Sequence, residues 1–326
     1  MTGKKYGNLL VGSLCAVGCE TIFGFSYIFT KQATENATPL ALLGWRFFAA
    51  FLAMNICVLL GLLKVDLKGK KIRPVLLLVA LWNPVLYFIG ETVGINRTTA
   101  TESGIFLACI PVASLLASAL ILHKKPRGRQ VVGILITLCG VLATVLAAGA
   151  ASSLSGIGYL FLLLAVLSYA LYCVYVDKAE TYTSAEITYM MLAAGAAVFI
   201  TLALLEAGVT GNLGDVIGLP FHDGGFLMTI LFQGIGCSVF AFFLSNLAIA
   251  KIGVNRTSSF IGIATVVSMM AGVLILGEPL SLYQFLGAVM ILAGVYVANS
   301  KDHRADDSGP SGGNMAGDKS FCGRQR

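Results

Sequence analysis

The sequence predicts an all-α integral membrane protein, with ten transmembrane helices arranged as two inverted five-helix repeats. Three observations lead there. First, 57% of the 326 residues are hydrophobic and 12% are charged, against about 45–50% and about 25% in soluble domains. Second, the stretch 101–144 recurs without a gap at 255–298, with 12 of 44 positions identical, including Phe106/Phe260, Gln130/Gln284, Gly133/Gly287 and Gly140/Gly294. Third, the connections inside the two copies differ in charge. The first runs His123-Lys124-Lys125-Pro126-Arg127-Gly128-Arg129, while its counterpart from Gly277 to Tyr283 carries one acid, Glu278. Because Lys and Arg mark the cytoplasmic side of a bilayer, the copies are expected in opposite orientations.

Taken in order, apolar runs bounded by charge or turn residues fall at 8–31, 39–62, 74–96, 99–122, 129–149, 155–177, 185–207, 225–249, 256–276 and 281–300. Each is close to the ~20 residues that cross a bilayer as a helix. A break near Ala151-Ser152-Ser153 gives a first repeat over 1–150 and a second over 151–300. Five spans is an odd number, so the second repeat enters the membrane inverted. With the N-terminus inside, 19 of the 22 Lys and Arg residues are cytoplasmic. Lys31 and Arg97 lie outside, and Arg46 lies within a span. That asymmetry places both termini on the cytoplasmic side of a multi-pass protein of the cytoplasmic membrane. The long outer connection is Gly208 to Asp223, and the polar tail 301–326 is expected to be disordered.

Several functional classes are excluded. The net charge of +6 comes from basic residues in the loops between apolar runs, so it is no footprint for nucleic acid. The eight cysteines stand singly without a CxxC, and the three histidines lie in loops or the tail. Neither set has metal-ligand spacing, and no cofactor is expected. No span carries HExxH or a serine beside an evident base, which argues against an enzyme. The expected partners are the lipid bilayer and a small-molecule solute, with protons as a second candidate. A homodimer is compatible with the sequence but not derivable from it.

Polar residues inside spans carry the functional reading. Glu20 lies halfway along the first span, with Gly24, Tyr27 and Lys31 on the same helical face. Arg46 sits ~10 Å below the outer end of the second span, and Glu20 ~16 Å below Lys31, at 1.5 Å per residue. The similar depths suggest a Glu20–Arg46 pair, either functional, as a solute-binding or a proton-linked pair, or a buried structural ion pair. Asn83, Tyr87 and Glu91 share one face of the third span, just where Pro84 should kink it, and Pro111 at the centre of the fourth span is expected to serve as another bend. Tyr172 and Gln233 are further candidate contacts from the second half.

Two tandem repeats, each closing with an apolar helix, a Lys-Pro or Glu-Pro loop, and then Gln130/Gly133/Gly140-Val141 or Gln284/Gly287/Gly294-Val295, resemble the EamA domains of the drug/metabolite transporter superfamily. The Leu276-Gly277-Glu278-Pro279 loop fits that pattern. The first copy departs from it, with Lys124 in place of Glu278. The resemblance implies secondary transport of small metabolites, often export, through a central cavity by alternating access. A non-transporting scaffold or receptor, and an intramembrane enzyme, are the alternatives.

Overall fold

The computed structural model describes residues 2–33, 37–66, 74–98, 103, 106–147, 155–277 and 281–300. The tail 301–326, Glu102, Glu278 and the side chains of Tyr27 and Lys31 lie outside the described residues. Among the described residues the regular structure is all helical. In the first half, α1 spans Thr2–Ala33, α2 Pro39–Leu59, α3 Pro74–Arg97, α4 Ile110–Ile121 and α5 Gly128–Ala147. In the second half, α6 spans Gly156–Lys178, α7 Ser184–Thr210, α8 Leu213–His222, α9 Gly224–Ile252, and α11 Leu282–Asn299. Between them α10 comprises Val254–Ser258 and Gly262–Leu276, joined by a turn. Eight of these helices are long and apolar enough to cross a membrane, whereas α4 and α5 are shorter apolar helices.

Local chemistry sets many of the boundaries. Thr38 caps α2 by accepting a hydrogen bond from the Ala41 amide at 3.1 Å, with Pro39 in the first turn. Thr183 with Glu186, and Ser281 with Gln284, form capping boxes at the starts of α7 and α11. The repeated glutamines share one job. The Arg127 amide donates to Gln130 Oε1 at 3.0 Å, as the Ser281 amide donates to Gln284 Oε1 at 2.9 Å. Just before these caps, His123 (φ 54°) and Gly277 (φ 67°) both adopt the left-handed conformation. The two corners therefore share a left-handed residue and a glutamine cap while differing in charge.

Two expectations change. The stretch 208–223 is not a plain connection, because α7 continues to Thr210 and α8 follows, held by Trp45 Nε1 donating to the Val216 carbonyl at 2.8 Å. Pro111 was expected to bend the middle of the fourth span. It instead stands in the first turn of α4, where its missing N–H leaves no hydrogen bond unmade.

The packing of the two halves is reciprocal. α1 lies against α9 and α10, and α6 lies against α3 and α4; α2 packs on α7, and α5 on α11. Exchanging the halves returns the same list of neighbours. The α5–α11 seam is close enough to need glycine: a Cβ at Gly140 would lie 2.7 Å from the Gly287 carbonyl oxygen, and one at Gly294 would lie 2.6 Å from that of Gly133. Gly133 faces Gly294 while Gly140 faces Gly287, so the two helices run antiparallel.

Candidate functional site

The site is organised by two interruptions in corresponding helices. In α3, residues Leu81–Leu86 form a π-helical segment in which Asn83 takes an extended backbone (φ −143°, ψ 120°) before Pro84. Proline has no N–H to donate, so the regular ladder breaks there. In α9, Phe232–Ala241 is also π-helical. Ser238 Oγ fills part of that break by donating to the Gln233 carbonyl at 3.0 Å.

Arg46 of α2 reaches into the second break. Its Nε donates to Ser238 Oγ at 2.8 Å, and its guanidinium lies 4.8 Å from the Phe88 ring centre and 5.7 Å from that of Phe47. Aromatic faces offset part of the cost of burying a cation. Arg46 is 6% exposed, yet its Nη2 is buried without a hydrogen-bond partner among the described residues. Trp82 Nε1 and Asn83 Oδ1, in the other break, are likewise buried and unpartnered among the described residues. Buried polar atoms are nearly always paired, so orphans at matching breaks call for an explanation.

The stripe on α3 is brought together: the Tyr87 hydroxyl donates to Glu91 Oε1 at 2.8 Å, and both groups lie within electrostatic reach of Arg46. Glu20 is 6% exposed and forms no ion pair with Arg46 among the described residues. It lies within electrostatic reach of Tyr87 and of Tyr169, Tyr172 and Cys173 of α6. Gly24, expected on a polar stripe with Glu20, packs instead against Ala264 and Val267 of α10. Tyr172 belongs to a neutral network, donating to Asn246 Oδ1 at 2.8 Å, while Asn246 Nδ2 donates to Thr188 Oγ1 at 3.0 Å. Gln233 is 1% exposed within the α9 break.

A cavity of about 390 Å³ opens between α2, α3 and α7, walled by Leu43, Phe88, Thr92, Asn96, Phe199 and Glu206. At the ends of α2 and α7, the Thr38 hydroxyl donates to Glu206 Oε2 at 2.6 Å. Phe47, Phe88 and Phe199 pack ring to ring, with centroids 5.1 to 6.2 Å apart. Phe88 is therefore shared, lining the cavity and supporting Arg46. Sequence reasoning missed Ser238, Phe88, Phe199 and Glu206. A signal for Ser238 existed: it follows Asn83 by 155 residues, nearly the offset of the repeated stretch.

Comparison with known proteins follows the same two halves. The model of the EamA-like transporter family matches residues 10–146 and again 156–300. The uncharacterized transporter YcxC of Bacillus subtilis (strain 168) is 33% identical over 288 residues, covering 88% of this chain and 92% of its own. The WAT1-related protein At1g44800 of Arabidopsis thaliana is 22% identical over 261 residues, covering 70% of each chain. A crystal structure of another protein superposes with a TM-score of 0.70 at 18% identity, covering 88% of this chain and 96% of that one, a likeness of fold alone. The chain belongs to the EamA-like transporter family and is a multi-pass membrane transporter of the drug/metabolite type.

Proposed function

We propose that this protein is a secondary transporter that carries small metabolites across the cytoplasmic membrane by alternating access, in the direction of export. In this reading α4 and α5 also span, completing ten helices as two inverted repeats over 1–150 and 151–300, with both termini cytoplasmic. The antiparallel glycine seam of α5 and α11 and the reciprocal neighbours of α1 and α6 support the inversion. The observation that carries the reading is the pair of π-helical breaks in α3 and α9, the second of them held by Arg46 through Ser238. Interrupted helices at corresponding positions of two repeats are where transporters of this kind bind solute, because the freed backbone and side-chain groups need a partner near the midplane.

Glu20, Arg46, Asn83, Tyr87 and Glu91 form the proposed solute site, with Tyr172 and Gln233 supporting its second half and Tyr27 as a further contact. Glu20 is the proposed proton carrier, since a carboxyl buried in a bilayer and unpaired with a cation is stable there chiefly when protonated. Flux of a solute panel into vesicles containing the purified protein tests the proposal. Uptake that needs the protein and responds to a pH gradient is expected. Flux indifferent to the gradient removes Glu20 from the coupling, and no protein-dependent flux of any solute removes transport itself.

A further inference from the structure

From the same site, and resting on its reading as a solute pathway, we infer that the cargo is an organic carboxylate and that Arg46 is its anchor. The guanidinium is charged at every physiological pH and offers five N–H donors in a planar fork that matches a carboxylate two bonds at a time. In Arg46 one donor, Nε, is held by Ser238, which fixes the plane of the fork. Nη2 is buried and has no hydrogen-bond partner among the described residues. The protein has a carboxylate within electrostatic reach, Glu91, and does not place it on that fork; Glu91 takes the Tyr87 hydroxyl instead. A buried cation with the Nη2 arm of its fork open is arranged for an acceptor that comes and goes.

The surroundings restrict the acceptor. Phe88, whose ring carries Arg46, also lines the cavity of about 390 Å³, a volume within the ~300–1,000 Å³ usual for small-molecule sites. Leu43, Phe88 and Phe199 give that cavity an apolar wall, and its one carboxylate, Glu206, is held by Thr38 at the ends of α2 and α7, so the body of the cargo is apolar and its acid group lies toward Arg46, away from Glu206. Phosphate monoesters fit less well, because their second negative charge would meet Glu91 and Glu20 with no further cation described in this part of the core.

Binding to the purified full-length protein in nanodiscs tests this, using phenylacetate and benzoate against their uncharged amides, phenylacetamide and benzamide, and against phenethylamine. At least one acid is expected to bind about tenfold or more tighter than its amide, the margin of a charge-assisted pair over a neutral hydrogen bond. Arg46→Gln should erase the preference, and Arg46→Lys should keep part of it. Acid and amide binding alike, including neither binding, overturns the inference on the unmodified protein without recourse to a variant. So does preference for the amine, or a preference that survives Arg46→Gln. Protein-dependent flux of non-acidic solutes would leave the transporter reading standing while ending this one.

Discussion

Arg46 is where the physical demands of this chain concentrate. A cation in the bilayer interior costs at least ~2.5–3.5 kcal/mol unless it is paired or wetted, and here it is held by one serine and two aromatic rings. Arg46→Ala should abolish transport or reduce it at least tenfold while the protein still inserts, as read by vesicle flux beside surface labelling. Glu20→Gln should lose the response to a pH gradient. Full activity in both variants would remove these residues from the pathway. Tyr87→Phe frees an oxygen of Glu91 to compete for Arg46, so flux should fall with apparent affinity more than with maximal rate. Much of this was legible in the sequence, because a charge or amide inside an apolar run has few bland uses. The pairing of Glu20 with Arg46 was not, since depth along a helix says nothing of the direction a side chain faces. Ser238 was hidden for another reason: a lone serine is common in membrane helices, and its role depends on the π-helical break around it.

At the scale of elements, the break in α3 was foreseeable from Pro84, whereas the break in α9 contains no proline and only the comparison of the halves exposes it. The glycines at 133, 140, 287 and 294 were visible as a repeated pattern, and the structure gives them their partners across the α5–α11 seam. Gly140→Leu should destabilise the protein by about 1–3 kcal/mol, the usual range for overpacking, and lower its thermal midpoint in detergent. An unchanged midpoint would contradict the seam. At the matching corner, His123 adopts a left-handed backbone (φ 54°) that its counterpart Gly277 reaches freely. His123→Gly should therefore raise the midpoint, by a gain of up to about 1 kcal/mol. The cavity wall could not be read in advance, because Leu43, Phe88 and Phe199 come from three helices and look like ordinary core residues in each.

For the whole molecule, composition alone identified a membrane protein, and the repeat with its contrasting loops suggested how the halves are disposed. The proposed function depends on that disposition. Two halves of opposite orientation can present one central site to either side in turn, while two halves of the same orientation have no such exchange. The reciprocal packing of α1 on α9 and α10, and of α6 on α3 and α4, is what an inverted pair would produce. Single cysteines at Lys124 and Glu278, on a background with the eight native cysteines replaced, test this without knowledge of the solute. Membrane-impermeant labelling should reach position 124 only from the cytoplasmic side and position 278 only from outside. Labelling of both from one side would contradict the inverted repeat, and with it the alternating-access account.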